Sequence, residues 1–159
     1  VVAQLRKALE NCLKEREREG RSLIKDLSLH LRALRQLSAK MGKLRGKANK
    51  ELERKYHQKL EKLRVKNLDE SRVAQEVVLL LDKSDISEEI ARLKEHIDSC
   101  GNLLAANGPV GKKLDFYCQE LLREVNTIGS KAQLTGLTQL VVEAKTVIER
   151  FREQVQNVE

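Results

Sequence analysis

Leucine and its aliphatic substitutes recur at steps of three and four from Leu23 onward. The series runs Leu23, Leu27, Leu31, Leu34, Leu37, Met41, Leu44, Ala48, Leu52, Tyr56, Leu60 and Leu63. That spacing is the apolar stripe of a helix and is incompatible with the alternation of a strand. Gly42 and Gly46, within KMGKLRGK, interrupt the stripe. Glycine pairs of this kind mark turns, so the pattern predicts two long helices, Ala3 to about Lys40 and about Lys47 to Lys66, folded as a hairpin. An unbroken rod is the alternative, because a glycine inside a helix costs only about 1 kcal/mol. A short helix is expected over Ser71 to Lys83. Asp85, with Glu88 three residues later, fits a helix-starting capping box. The helix that follows carries Ile86, Ile90, Leu93, Ile97, Cys100 and Leu104 as its core stripe. Asn107-Gly108-Pro109 ends it with the strongest turn signal in the chain. A helix from Gly111 to Lys131, a break near Gln133 to Gly136 and a last helix with Leu137, Leu140, Val141, Ala144, Ile148, Phe151 and Val155 inward complete the reading.

Composition agrees with an all-α fold. Charged residues make up 35% of the 159 residues, aromatics 3%, and there is a single proline. A chain of this length can bury a real core without disulfides or metal. The longest aliphatic run, Val77 to Leu81, is far too short to span a bilayer, so no membrane partner is expected. Cys12, Cys100 and Cys118 are irregularly spaced, and two of them lie on apolar faces. Reduced core thiols and a cytoplasmic location follow. The chain opens Val1-Val2 with no initiator Met, the pattern expected of a piece of a longer protein.

Charge divides the chain. Residues 1–70 hold 20 Lys and Arg against 10 Asp and Glu, whereas residues 71–159 hold 11 against 14. We therefore expect two parts, a long basic helical arm over 1–70 and a helical domain over 71–159. Lys43, Arg45 and Lys47 sit in the most basic stretch. Phosphate backbones are natural partners for such a surface, although a merely solvated helix face has the same composition.

The richest chemistry lies in GKKLDFYCQELLREVNTIGSK, residues 111–131. On a helix, Leu114, Cys118, Leu121, Val125 and Ile128 form the apolar side. Asp115, Gln119, Arg123, Asn126 and Ser130 form one polar row, and Glu120, Glu124, Thr127 and Lys131 a second. Glu120 and Glu124 repel each other at this spacing unless a cation or a metal sits between them. Lys113, Arg123 or Lys131 could supply that charge as an ion-pair network. In the preceding EEIARLKEH, residues 88–96, Glu89, Arg92 and His96 share the margin of the apolar stripe. The last helix adds Lys145, Glu149, Arg152, Glu153, Gln156 and Asn157. Carboxylates and a histidine meeting in one cleft suit a hard or borderline divalent ion, which can activate water and stabilise a phosphoryl transition state. The chain has no HExxH, no phosphate-cradling glycine loop and no zinc-type cysteine spacing.

DISEEIARLKEH, GKKLDFYCQELLREVNTIGSK and EAKTVIERFREQVQNVE together resemble the C-terminal region of the YicC-like bacterial endoribonucleases. The resemblance is close from about Ser71 to Glu159 and looser before it, where REREGRSLIKDL is the best-matching piece. It implies a cytosolic, divalent-metal-dependent endonuclease acting on RNA as a ring-like homo-oligomer, with Mn or Mg as cofactor. Members carry a further N-terminal α/β domain, so this chain corresponds to the C-terminal half and the ring is expected to need the other half. Glu89, Arg92 and His96 fall in the first motif. Asp115, Gln119, Glu120, Arg123, Glu124 and Asn126 fall in the second, and Glu149, Arg152 and Glu153 in the third. The resemblance does not divide these residues by role; by their chemistry, His96, Glu89, Glu120 and Glu124 are candidate metal ligands, and Glu120, Glu124 and Arg123 candidate catalytic residues. Arg92, Lys112, Lys113, Lys131, Arg152, Lys43, Arg45 and Lys47 are candidate RNA contacts. Two other readings stand beside this one, a non-catalytic RNA-binding and oligomerisation module and a helical scaffold for another protein.

Overall fold

The computed structural model describes residues 1–63, 75, 78–79, 82–106, 108–131 and 135–158. The described residues form four principal helices and no strand: α1 (Val2–Leu63), α2 (Ser87–Ala105), α3 (Gly111–Lys131) and α4 (Thr135–Val155). The all-α class is as the periodicity predicts. The short helix expected over Ser71 to Lys83 falls largely outside the described residues, and the positions described within it, Gln75, Val78, Leu79, Asp82 and Lys83, are helical.

The hairpin turn expected at KMGKLRGK is not formed. Gly42 and Gly46 lie inside one unbroken helix, so the rod is what the sequence encodes. The reason is local: neither glycine has a positive φ, and the residues on both sides keep the three-four periodicity. With no proline and no turn chemistry beyond glycine, the cost of two helical glycines is small beside that of breaking the helix. At about 1.5 Å per residue, α1 is about 90 Å long, roughly three times each of the others.

The helices close a ring of contacts, α1 with α2, α2 with α3, α3 with α4 and α4 with α1. Cross-pairings show that neighbours run antiparallel: Arg35 meets Asp98 and Arg45 meets Asp85, Lys131 meets Glu89, and Asp115 meets Arg152. The arrangement is an up-down-up-down bundle. Its core takes Leu27, Leu31, Leu34, Leu37 and Met41 from α1, together with Ile90, Leu93, Ile97, Leu114, Leu121, Ile128, Ile148 and Phe151. The middle of α1, inside the segment expected as an arm, is thus part of the same core as α2 to α4. Only the ends of α1 extend past it. Leu5, Leu9 and Leu13 on the N-terminal end are 59%, 61% and 58% exposed. They continue the face that Leu27 carries into the core, since Leu9 and Leu27 stand five whole turns apart.

Two turns fix the lower half of the ring. Gly108 takes φ +112 ahead of Pro109, a backbone that glycine adopts without strain, and the chain reverses there into α3. At the start of α2 the expected Asp85–Glu88 capping box is absent. Ile86 flanks the first turn, its side chain buried. Asp85 instead accepts from the Ser87 backbone N–H at 3.1 Å and from the Ser87 hydroxyl, while Glu88 pairs with Arg92.

A Cβ at Gly42 or Gly46 meets no atom within 4 Å. Gly42→Ala and Gly46→Ala will therefore each stabilise the protein by about 0.5–1 kcal/mol in urea unfolding. Destabilisation by either substitution is the outcome a turn at this point requires.

Candidate functional site

The seam between α2 and α3 gathers the polar residues that matter. Antiparallel packing places Glu89 near the end of α3 and His96, two turns further along α2, near its middle. Glu124 projects from α3 into this seam and is only 3% exposed. Its position follows from the helix itself, because Glu124 lies one turn from both Leu121 and Ile128 and so at the edge of the apolar stripe. Glu120 stands one turn before it and is half-buried.

His96, Glu120 and Glu124 each offer one ligand atom, and those atoms lie within 4.8 Å of one another. Among the described residues no cation forms an ion pair with Glu124. Arg123 reaches Glu120 at 3.5 Å from the solvent side. The His96 ring lies against Tyr117, with centroids 5.8 Å apart and planes tilted by 49°. One imidazole nitrogen and two carboxylates on two rigid helices form a donor set that fits a divalent ion.

Glu89 does not join this cluster. It is 7% exposed and pairs with Lys131, whose ammonium donates to Glu89 Oε1 at 2.7 Å and to the Asp85 carbonyl at 3.0 Å. Two helical turns separate it from His96, too far to share an ion. Glu89 and Lys131 together form a structural clamp that ties the end of α3 to the start of α2, so neither is placed as ligand or RNA contact. The Asp85 side chain nearby is held below its ordinary range, chiefly by the Ser87 hydroxyl and also by the Arg45 guanidinium.

The other expected residues divide by position. Arg92 lies on α2 one turn from His96, on its exposed side, and pairs with Glu88. Lys112 and Lys113 are exposed at the start of α3, and Lys43 and Lys47 on α1. Arg45 is engaged by Asp85 at 3.1 Å and Arg152 by Asp115 at 3.6 Å. Gln119 and Asn126 face solvent. Glu149 and Glu153 are exposed on α4, which is packed on the other side of α3 from α2 and brings no carboxylate to the cluster. Cys100 and Cys118 are buried, and burial pushes both thiols up to about 12, so they stay protonated and inert at neutral pH.

The class of protein this defines is a four-helix bundle with a histidine–carboxylate cluster set between two of its helices. The family described as endoribonuclease YicC-like, C-terminal, matches residues 41–159, and the chain belongs to that family. A protein of Clostridioides difficile (strain 630) named probable endoribonuclease YicC is 38% identical over 168 residues, covering 99% of this chain and 56% of the relative. A probable endoribonuclease YicC of Haemophilus influenzae is 48% identical over 93 residues, covering 58% of this chain and 32% of the relative. The chain thus spans about half the length of the first of these relatives.

Replacing Lys131 by Met strands the Glu89 charge in the seam. We expect a loss of about 3 kcal/mol in urea unfolding, with the double change Glu89→Met and Lys131→Met recovering most of it. An unchanged stability for Lys131→Met would show that the pair is not a clamp.

Proposed function

We propose that this domain is the cutting part of a divalent-metal-dependent endoribonuclease. The observation that carries the reading is Glu124: a residue only 3% exposed, facing His96 and Glu120, with no cation paired to it among the described residues. Buried carboxylates are paired, hydrogen-bonded or bound to metal. His96, Glu120 and Glu124 would hold the ion. A nitrogen ligand beside two oxygens favours Mn over Mg, which prefers an all-oxygen shell. When bound, such an ion polarises a phosphoryl oxygen and lowers the pKa of its water.

The chain's own side chains do the rest. Glu124, locked by burial, fixes one side of the site, while Glu120 reaches the solvent edge. Arg123, beside Glu120, and Arg92, one turn from His96, hold the phosphate oxygens that arrive there. Lys112 and Lys113 at the start of α3 and Lys43 and Lys47 on α1 draw in the backbone by phosphate neutralisation. Because these basic residues are spread over α1, α2 and α3, the reading supports a substrate followed over several phosphates. Among the described residues no helix is long and apolar enough to cross a membrane, and work in the cytoplasm belongs to the same reading.

The homo-oligomer belongs to the same reading. Leu5, Leu9 and Leu13 form an exposed stripe beside the Arg6–Glu10 ion pair, a pattern suited to helix pairing between copies. Sedimentation velocity will show a shift to smaller species when Leu5 and Leu9 are both changed to Ser, and an unaltered distribution rules this face out.

The activity test uses Glu120→Gln and Glu124→Gln. Each will lower Mn-supported RNA cleavage by about 100-fold or more while retention of RNA on a filter is unchanged, and EDTA will abolish cleavage by the parent chain. Calorimetric titration with Mn²⁺ reads the same site without turnover and will lose its binding isotherm in His96→Ala. Full cleavage by the Gln variants, or in EDTA, is incompatible with the proposal.

A further inference from the structure

The chain has two phenylalanines and two tyrosines, and they are used very differently. Phe151 is 0% exposed in the core, whereas Phe116 is 55% exposed on α3. A single exposed aromatic is ordinary on a protein surface. This one is set apart by its neighbours. Its ring meets Tyr117 edge-on, with centroids 5.5 Å apart and planes at 72°, and Tyr117 in turn lies against His96. The aromatic run Phe116–Tyr117–His96 therefore ends on a member of the His96–Glu120–Glu124 cluster. Phe116 also stands one turn before Glu120 on the same side of α3, and Arg123 follows Glu120 by three residues on that flank. An apolar π-face, the carboxylate edge of the cluster and a guanidinium thus succeed one another along the solvent side of one rigid helix.

We propose that Phe116 is a base-stacking platform that makes the site selective for single-stranded RNA. The proposal rests on the metal-site reading above and names its substrate class. A nucleotide whose phosphate is held by Arg123 beside Glu120 can lay its base on the neighbouring Phe116 ring. Only an unpaired base can do so, because in an A-form duplex both faces of each base are already covered by stacking. Aromatic rings serve single-strand recognition in this way generally, and they tolerate any base sequence because every base has a π-face. The edge-on contact with Tyr117 holds the Phe116 ring while leaving a face open. Basic side chains alone give no preference for the single strand, since the duplex presents the denser phosphate charge.

The test measures binding of a labelled, unstructured RNA oligonucleotide and of the fully paired duplex of the same sequence. Phe116→Ala will weaken single-strand binding by about 5- to 150-fold and leave duplex binding unchanged. Phe116→Leu, which keeps an apolar side chain but has no π-face, will behave like the alanine variant. Phe116→Trp will retain affinity and gives the chain its sole tryptophan, whose fluorescence will be quenched by the single strand and not by the duplex. Circular dichroism will confirm that each variant is folded. Parental affinity in Phe116→Ala, equal losses for both RNAs, a leucine variant that binds like the parent, an unquenched tryptophan or no single-strand binding by the parent chain each overturns the platform. Its failure is distinguishable from failure of the metal site: Glu120→Gln abolishing cleavage while Phe116→Ala binds normally sinks the platform alone, and full cleavage by Glu120→Gln sinks the metal site.

Discussion

The seam between α2 and α3 buries two carboxylates, and the difference in what they face organises the molecule. Glu89, near one end, is matched by the Lys131 ammonium at 2.7 Å. Glu124, two turns away, meets His96 and a second carboxylate. Removing a charge from water costs several kcal/mol unless something compensates it, and for Glu89 the chain supplies that compensation itself. At Glu124 it supplies an imidazole and Glu120 instead. One part of the seam is therefore closed by its own ion pair, whereas at Glu124 no cation is paired among the described residues.

This division requires a frame that does not yield. The long α1 provides it by contributing Leu27 to Met41 to the core while packing against both α2 and α4. The ion pairs Arg35–Asp98 and Arg45–Asp85 fix its register against α2. They are partly exposed and each adds little stability. With α2 held, His96 is held, and the Tyr117 ring packs against it from the opposite helix.

Much of this was legible in the chain. The three-four spacing of aliphatics located α2, α3 and α4 and their buried faces, because a helix that must bury one side writes that side into its sequence. The same arithmetic placed Glu120 and Glu124 on one polar row and His96 on the margin of α2. It was less successful where local signals compete. Gly42 and Gly46 read as a turn, yet a helix tolerates them when the residues around them keep the pattern. Asp85 and Glu88 read as a capping box, but Ile86 is drawn into the core and Asp85 turns to Ser87 instead. Glu89 read as a ligand beside His96, and only the partner helix shows that Lys131 claims it.

Sequence by itself determined the all-helical class, the stripes that form the core, the basic excess along α1 and the candidate residue set of the site, because each of these is set by periodicity and residue type within one helix. Tertiary structure decided which carboxylate pairs with a lysine and which stands open, that Phe116 faces water beside the cluster while Phe151 does not, and that α4 brings none of its carboxylates to it. The physical reason is that a helix sequence specifies which faces are buried but not what stands opposite them. The charge a buried carboxylate meets depends on the register between two helices, and packing of the whole bundle sets that register.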